Sequence, residues 1–373
     1  MSNVCDYIKW RGDITLAQSE FNHIDNLVLS RFSYFPFDTL IKENEIVTIK
    51  ELSERFKKQD RDKMQILWKY DADLFPLMGE SKRFGEMKAT KFVNTLDENI
   101  EKQFSAITIL LPDNTIFVAY RGTDDTMVGW KEDFNLSFQS HTPSQISGKN
   151  YLEDVAKKHP FKKLRIGGHS KGGNIAIYSA AFANQKVKNR IINVYNNDGP
   201  GFCEDIINSP EYQEILPKVH TFIPQSSVIG RLMNHKENYT IVESTQEGLM
   251  QHDLYSWQIV GNDFVTVPKA TAESNYIDKT ITEWVDGIEP EKRKEFIDAV
   301  YQILKETNAQ TLSELKASWL TYANTKKMLK SYKSFDEETK KIIWHTVTAL
   351  LKSMKDNSKE RKGTKTRIKK KIK

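Results

Sequence analysis

A glycine-rich corner in the middle of the chain carries a serine at a spacing that suits nucleophilic chemistry. Its five residues fit the pattern G-x-S-x-G: Gly168, His169, Ser170, Lys171 and Gly172. In this pattern a strand leads into a helix through a tight turn that exposes the serine hydroxyl. The glycines have no Cβ to clash where the chain folds back on itself. We therefore predict Ser170 as a nucleophile; the alternative is an ordinary glycine-rich turn between a strand and a helix.

A serine hydroxyl needs an adjacent base, and in this arrangement the chain order is serine, acid, histidine. Four histidines follow the serine: His220, His235, His252 and His345. His220 lies within a strand-like run and His345 in a distal helix-like segment. His252, in "QEGLMQHDLYSW", follows the last apolar strand, where the base belongs. We predict His252 as the base, with His235 as the alternative.

The acid that orients the base is predicted to be Asp198, in "INVYNNDGPGF". It ends the strand that follows the helix after the serine, so it points to the same edge of the sheet. The more usual place is one strand later, but there the sequence offers Ser226 and Ser227 and no carboxylate. The alternative is that Asp198 is a turn residue before Gly199.

Two backbone N–H groups are expected to bind the oxyanion that forms during acyl transfer. One belongs to the residue after the nucleophile, Lys171. The second is predicted to come from Thr123 in "VAYRGTDDT", which follows an earlier strand, with its hydroxyl as a further donor. The alternative for this segment is a simple turn at the end of a strand.

The elements that must position these residues alternate between apolar strands and helices. Such alternation predicts an α/β protein with a mostly parallel central sheet flanked by helices. We divide the chain into an N-terminal helical segment packing on the core (1–97), the α/β core (98–268), a C-terminal helical region (269–354) and a basic tail (355–373) that we expect to be disordered. The polar stretch from Phe134 to Asn150 is either a lid or a surface loop.

Composition limits the remaining possibilities. The net charge is +5, but the tail alone carries ten basic and two acidic residues, which leaves the rest mildly acidic. We expect no sequence-specific nucleic-acid binding, and at most weak contact of the tail with an anionic surface. The two cysteines form no metal or disulfide pattern. Without a signal peptide or an apolar run of about 18 residues, a soluble, cytoplasmic protein is expected.

The segments "VAYRGTDDTMVGWKEDF" and "GGHSKGGNIA" together resemble the class 3 lipase branch of the α/β-hydrolases. That branch has an R-G-T oxyanion segment, a tryptophan–aspartate pair (approximately Trp130 and Asp133 here) and a G-H-S-x-G turn. More closely, the chain resembles a set of bacterial lipase-like proteins. They share an opening like "DYIKWRGD" and "FNHIDNLVLSRFSYF", a middle like "QFSAITILLPDN" and "YNNDGPGF", and then "QHDLYSW". The resemblance runs from about Asp6 to Trp257.

The resemblance implies an α/β-hydrolase fold with added terminal helical segments and a serine-hydrolase mechanism. It implies Ser170 as nucleophile, His252 as base and Thr123 as oxyanion donor. The acid departs from class 3 lipases, because their usual aspartate position reads serine, so Asp198 follows from the closer set and from its place in the chain.

The sequence therefore predicts an esterase or lipase-like enzyme that cleaves a small-molecule or lipid acyl ester without a cofactor or metal. Two alternatives stay open at this point. One is a catalytically inactive protein of the same fold with a binding or regulatory role. The other is an acyltransferase that uses the same triad, because the acyl-enzyme step is common to both reactions.

Overall fold

Eight strands form one central sheet whose spatial order follows the chain from β1 to β8. The computed structural model describes residues 2–59, 68–271, 275–276, 279–281, 283–284, 287–307, 309–311, 314 and 322–348. The strands of the sheet are β1 (Ile46–Thr48), β2 (Lys88–Asp97), β3 (Lys102–Leu110), β4 (Ile116–Tyr120), β5 (Leu164–His169), β6 (Ile191–Asn197), β7 (Val219–Pro224) and β8 (Tyr239–Val242). A separate short pair consists of β9 (Ile259–Val260) and β10 (Asp263–Phe264).

Helices precede, cover and follow this sheet. They are α1 (Val4–Arg11), α2 (His23–Phe32), α3 (Ile49–Lys57), α4 (Asp71–Glu80), α5 (Met127–Asn135), α6 (Pro143–Lys158), α7 (Lys171–Phe182), α8 (Gln185–Lys188), α9 (Glu204–Ile207), α10 (Pro210–Ile215), α11 (Pro290–Lys305) and α12 (Tyr322–Ser334). Residues 337–348 are also helical. In the described part of the chain, no helix has the length and apolar character that crossing a membrane requires.

The sheet changes direction at its middle. β1 to β4 pair antiparallel, whereas β4 to β8 are all parallel, so four of the seven neighbouring pairs are parallel. The parallel half places the carboxyl ends of β4, β5, β6 and β7 at one edge, where open α/β sheets build their sites. The predicted α/β-hydrolase fold, a mostly parallel sheet flanked by helices, is confirmed.

Two local features differ from the sequence-based expectation. The sheet begins before residue 98, because β1 and β2 belong to it and β2 pairs with β3 from Lys88 to Asp97. β2 is rich in Lys, Thr and Asn and shows no alternating apolar pattern, so it does not read as a strand.

The division of the chain into four segments stays a prediction. The predicted tail lies outside the described residues, and so does most of a short helix expected around Met64–Lys69.

The polar stretch predicted as a loop from Phe134 to Asn150 is largely helical. α6 begins at Pro143 because Thr142 caps it, with a reciprocal bond from Gln145, and a proline suits the first helical position. Only residues 136–142 connect α5 to α6. The segment is therefore too short to form a long lid of its own.

Each face of the sheet packs on its own apolar cluster. The N-terminal helices and β9–β10 cover one face, where Phe35 and Phe75 stack with ring centroids 4.3 Å apart. α6, α7 and α10 cover the other. α2 is bonded to the sheet by polar groups as well, because Asn26 donates to Asn197 Oδ1 at 2.9 Å, and Asn197 in turn donates to the Gly168 carbonyl at 3.0 Å. Helices from the start of the chain therefore hold the strands that carry the serine turn.

The helix α11 packs against α5. The Met127 N–H donates to the Gln310 carbonyl at 3.0 Å, and Arg293 donates to the Ser137 carbonyl at 2.6 Å. Between these ends, the Lys131 ammonium lies 2.8 Å from the Asp298 carboxylate. α5 is thus tied to the C-terminal region along its length.

A buried ion pair fixes the N-terminal helices to one another. Arg83 donates from Nε to Asp25 Oδ1 at 2.6 Å and also binds the second carboxylate oxygen, and both side chains are fully buried. The same guanidinium donates to the carbonyls of Ile14, Ser19 and Glu20. Nearly every donor of Arg83 therefore has an acceptor, which is what a buried charge needs.

We predict that Arg83→Met lowers the free energy of unfolding by about 3–5 kcal/mol, because it leaves the Asp25 carboxylate buried and unpaired. Denaturant unfolding of purified protein measures this. The matched control is Lys57→Met, which breaks partly exposed pairs with Glu54 and Glu80 and should cost under about 1 kcal/mol. Equal losses in the two variants would contradict the structural role of the buried pair.

Candidate active site

The turn between β5 and α7 holds Ser170 in a strained backbone conformation. Its φ is +59° and its ψ is −136°, a region that residues with a side chain rarely adopt. The turn is tight because Gly168 and Gly172 lie against each other and against the Tyr120 carbonyl at the end of β4, so an added Cβ at either glycine would clash with backbone. These contacts are the reason for glycine at both positions of the predicted pattern.

Three strand ends converge on this serine. The Ser170 N–H donates to the Asn197 carbonyl at the end of β6, at 3.0 Å. On the other side, Gly122 after β4 lies so close that a Cβ there would come within 2.9 Å of Ser170 Cβ. Ser170 is partly exposed. The loops after β4, β5 and β6 therefore meet at one partly open point.

Asp198 follows β6 and is 1% exposed. Its φ of +54° turns the chain sharply after the strand, a conformation that aspartate tolerates better than most residues. Oδ1 accepts from the Ser227 hydroxyl and from the Gly230 N–H. Ser227 stands in the loop after β7 where the sequence lacked the usual carboxylate, and here it supports the carboxylate of Asp198.

His252 meets Asp198 directly. Nδ1 of His252 lies 2.7 Å from Asp198 Oδ2, and the imidazole is 21% exposed. The residue closes a short 3₁₀ helix, Gly248–His252, whose position is fixed by its neighbour Gln251. The Gln251 side chain accepts from the Ser226 N–H at 2.8 Å, and its carbonyl accepts from the indole of buried Trp257.

The alternative base has another partner. Nδ1 of His235 lies 2.9 Å from Glu237 Oε1, and the hydrogen bonds of Glu237 hold its pKa down at about 2, against desolvation. His220 lies on β7 beside Asn193, and His345 lies in the helical stretch after α12. Of the four candidates, the structure brings His252 to Asp198.

Lys171 is the first residue of α7, so its backbone N–H has no partner within the helix. Its side chain points inward instead. Nζ donates to Glu132 Oε2 at 3.0 Å and to the Gln103 carbonyl and side chain, in a site where both charged groups are 2% exposed or less. Glu132 also accepts from Ser144 and from the Gln103 N–H. This buried pair joins the nucleophile turn to α5.

Thr123 follows β4 beside the turn, as predicted, but its hydroxyl is already engaged. Oγ1 donates to the Asp133 carboxylate, with oxygen–oxygen distances of 2.6 and 2.7 Å. A hydroxyl has one proton, so the backbone N–H of Thr123 remains as the candidate donor. Burial raises the pKa of Asp133 to about 6, partly offset by Lys171 and Thr123.

Sequence reasoning missed Tyr34, which belongs to the N-terminal helical segment. Its hydroxyl accepts from the Gly122 N–H at 3.0 Å and lies 3.2 Å from the His169 carbonyl. No spacing rule connects residue 34 with residues 122 and 169. The available signal was weak: Arg31 and Tyr34 alternate with large apolar side chains in the stretch "NLVLSRFSYF".

Two segments near the site expose large apolar side chains. α5 exposes Trp130 and Phe134, one helical turn apart, and the turn that bears His252 exposes Leu249 and Met250. We call these four residues the apolar rim. Within the described ranges, no group of three or more His, Cys, Asp or Glu side chains is placed to hold a metal ion.

The family model described as Mbeg1-like matches residues 78–302, which is more than half of the chain. The chain belongs to the Mbeg1-like family. The match contains Ser170, Asp198 and His252 as well as Thr123 and Lys171, whereas Tyr34 and His345 lie outside it. No curated protein sequence matches this Mbeg1-like chain.

Several solved lipase structures are similar to this Mbeg1-like protein over part of its length. A fungal lipase is 11% identical and covers 67% of this chain and 87% of its own, with a TM-score of 0.40. Lipase II of Rhizopus niveus is 14% identical over 42% of this chain and 67% of its own, with a TM-score of 0.33. The Rhizomucor miehei lipase, in complex with its propeptide, is 16% identical over 42% of this chain and 58% of its own, with a TM-score of 0.32. The chain therefore spans 58% of the length of that lipase.

We predict that Ser170→Gly is more stable than Ser170→Ala in this Mbeg1-like protein. Both variants lose the hydroxyl, but only glycine adopts a φ of +59° without strain, and the difference should be about 1 kcal/mol after the larger chain entropy of glycine is counted. Thermal and denaturant unfolding of the two variants measure it. An alanine variant at least as stable as the glycine variant would contradict a strained turn.

We predict that Asp133→Asn stabilises the protein above pH 6. The pKa of Asp133 is raised from 3.8 to about 6 in the folded protein. Above pH 6 the folded protein must therefore hold a buried, ionised carboxylate that the unfolded chain ionises more easily in water, and this difference lowers the free energy of unfolding. The gain should approach about 2–3 kcal/mol at pH 7–8 and disappear as the pH falls through 6 towards 4.

Denaturant unfolding at several pH values measures this gain. The control is Asp13→Asn at an exposed aspartate, which should change the free energy of unfolding by less than about 0.5 kcal/mol. A difference between Asp133→Asn and wild type that is the same at pH 4.5 and pH 7.5 would contradict the raised pKa.

Proposed function

We propose that the protein is a serine hydrolase, of esterase or lipase type, that cleaves a carboxylic acyl ester. The observation that carries the proposal is the 2.7 Å contact between His252 Nδ1 and Asp198 Oδ2, beside the turn that presents Ser170. A carboxylate on Nδ1 keeps the proton there and leaves Nε2 as the base. Three residues from distant parts of the chain thus take the roles of nucleophile, base and acid.

The chemistry proceeds in two halves. His252 takes the proton of the Ser170 hydroxyl as its oxygen attacks the ester carbonyl, and Asp198 stabilises the imidazolium that forms. The imidazolium then gives its proton to the departing alcohol, which leaves Ser170 acylated. Water, deprotonated by the same imidazole, attacks the acyl-enzyme and releases the carboxylic acid.

The oxyanion of each tetrahedral intermediate would accept from the backbone N–H groups of Thr123 and Lys171. Buried bonds hold both segments: Asp133 holds the Thr123 hydroxyl, and Glu132 holds the Lys171 ammonium. Because these bonds already exist before substrate binds, little reorganisation accompanies the reaction. Losing one such donor typically costs about 2.7–4 kcal/mol of barrier.

The apolar rim supports an ester with a hydrophobic acyl or alcohol portion. Exposed aromatic and aliphatic side chains cluster on the two segments that carry site residues, α5 and the His252 turn. An apolar substrate gains roughly 25 cal/mol for each Å² of surface that it buries there. A lipid or other apolar acyl ester is therefore the substrate class that we propose.

We predict that a fluorophosphonate probe labels the wild-type protein and leaves Ser170→Ala unlabelled, because the probe reacts with an activated serine. On a short-chain acyl ester that the wild type hydrolyses, His252→Ala should lower kcat by about 10⁴–10⁶-fold. The matched control is His345→Ala, an exposed histidine in a distal helix, which should keep wild-type kcat.

Wild-type protein that remains unlabelled, where a known serine hydrolase labels, would favour the inactive alternative. Undiminished turnover by His252→Ala would exclude His252 as the base. A panel of acyl esters of increasing chain length tests the apolar substrate class, and addition of an alcohol acceptor distinguishes hydrolysis from acyl transfer. If the acylated acceptor replaces the free acid as the main product, the acyltransferase alternative is correct.

A further inference from the structure

The histidine that precedes the nucleophile contacts the base loop in two ways. The ring centroids of His169 and His252 lie 4.4 Å apart at an interplanar angle of 32°. In addition, Nε2 of His169 lies 2.8 Å from the His252 carbonyl oxygen. His169 is 3% exposed, so neither contact is shared with bulk water. The residue next to the nucleophile therefore touches both the ring and the backbone of the base.

The hydrogen bond fixes which nitrogen of His169 carries the proton. A carbonyl oxygen only accepts, so Nε2 must carry a proton, and in the neutral ring Nδ1 is then the unprotonated nitrogen. On that side, the Tyr34 hydroxyl lies 3.2 Å from Nδ1. The same hydroxyl lies 3.2 Å from the His169 carbonyl, so its single proton can go to either of two acceptors, both of which belong to His169.

Tyr34 extends this connection to the oxyanion segment. Its oxygen accepts from the N–H of Gly122, the residue before Thr123, at 3.0 Å. The ring lies under the Arg31 guanidinium, 4.4 Å from its centroid, and burial raises the pKa of Tyr34 to about 12. Tyr34 is therefore a protonated donor with a fixed position.

Arg31 is itself held by charge. It donates from Nε to Asp71 Oδ1 at 2.7 Å, and the Tyr255 hydroxyl donates to the same oxygen at 2.7 Å. The charged groups that act on His169 are thus His252 and Arg31, and both disfavour a cationic ring. With burial they bring the pKa of His169 well below its ordinary value, so this imidazole stays neutral.

We propose that His169 is a positioning residue that holds the backbone of His252 through its Nε2–H bond and, with Tyr34, ties the base loop to the oxyanion segment. The proposal rests on the proposed function in that His252 is the base. Removing the bond from His169 to the His252 carbonyl leaves the side chains of Ser170, His252 and Asp198 unchanged. It allows the distance between the base and the nucleophile to vary more. Misplacement of about 1 Å is enough to slow such a reaction markedly.

Two variants separate the hydrogen bond from the ring. His169→Phe keeps an aromatic ring against His252 and loses the bond, whereas His169→Gln keeps an N–H donor and loses the ring. We predict that kcat falls by about 10–100-fold in His169→Phe with little change in KM, and that His169→Gln recovers part of the loss. Tyr34→Phe should also lower kcat. The double variant, His169→Phe with Tyr34→Phe, should lower kcat by less than the product of the two single fold-changes.

NMR of the imidazoles gives a readout that does not require turnover. In wild type, ¹⁵N-labelled His169 should keep a protonated Nε2 and an unprotonated Nδ1 from pH 5 to pH 9. These measurements stand even if the wild type neither labels nor hydrolyses esters, which would count against the proposed function alone.

Three outcomes would overturn the positioning role. His169 could titrate near pH 6–7 or carry its proton on Nδ1. His169→Phe could match wild type in kcat. Finally, His169→Gln could be no more active than His169→Phe although both unfold at the wild-type denaturant concentration.

Discussion

The close approach of β4 to the turn between β5 and α7 is the constraint on which the site depends. Gly168 and Gly172 contact the Tyr120 carbonyl, and no side chain fits between them. The chain turns in that space with a positive φ at Ser170, which costs of order 1–3 kcal/mol. The parallel half of the sheet holds the turn in place, because it aligns the ends of β4, β5 and β6. The loop after each of these strands therefore reaches the serine.

Three consecutive charged residues of α5 face three different parts of the molecule. Lys131 pairs with Asp298 of α11, Glu132 pairs with buried Lys171, and Asp133 accepts from Thr123. Successive helical residues point about 100° apart, so one turn of helix contacts the C-terminal region, the Ser170 turn and the Thr123 segment at once. The raised pKa of Asp133 means that this arrangement reduces stability at neutral pH, a common feature of preorganised sites.

The sequence predicted the mostly parallel sheet, the turn at Ser170 and the choice of Asp198 and His252, because each depends on local pattern and chain order. The strand β2 was not predicted, because its stability comes from pairing with β3 rather than from an apolar face. The start of α6 was encoded in a Thr-Pro-Ser-Gln capping sequence that was read as loop. The contacts of Tyr34 and of the Lys171 side chain could not be predicted, because each joins residues far apart in the chain through packing that no spacing rule describes.

The attachment of α11 to α5 sets a practical limit on fragments of this chain. A protein cut after β10 would keep the whole sheet, yet it would expose Met127 and leave its amide without the Gln310 carbonyl. The Lys131 ammonium would also lose its partner Asp298. Expression boundaries chosen from the sheet alone would thus disturb the segment beside the nucleophile. A fragment that keeps these contacts has to extend at least through Thr311, whose backbone bridges to Thr126.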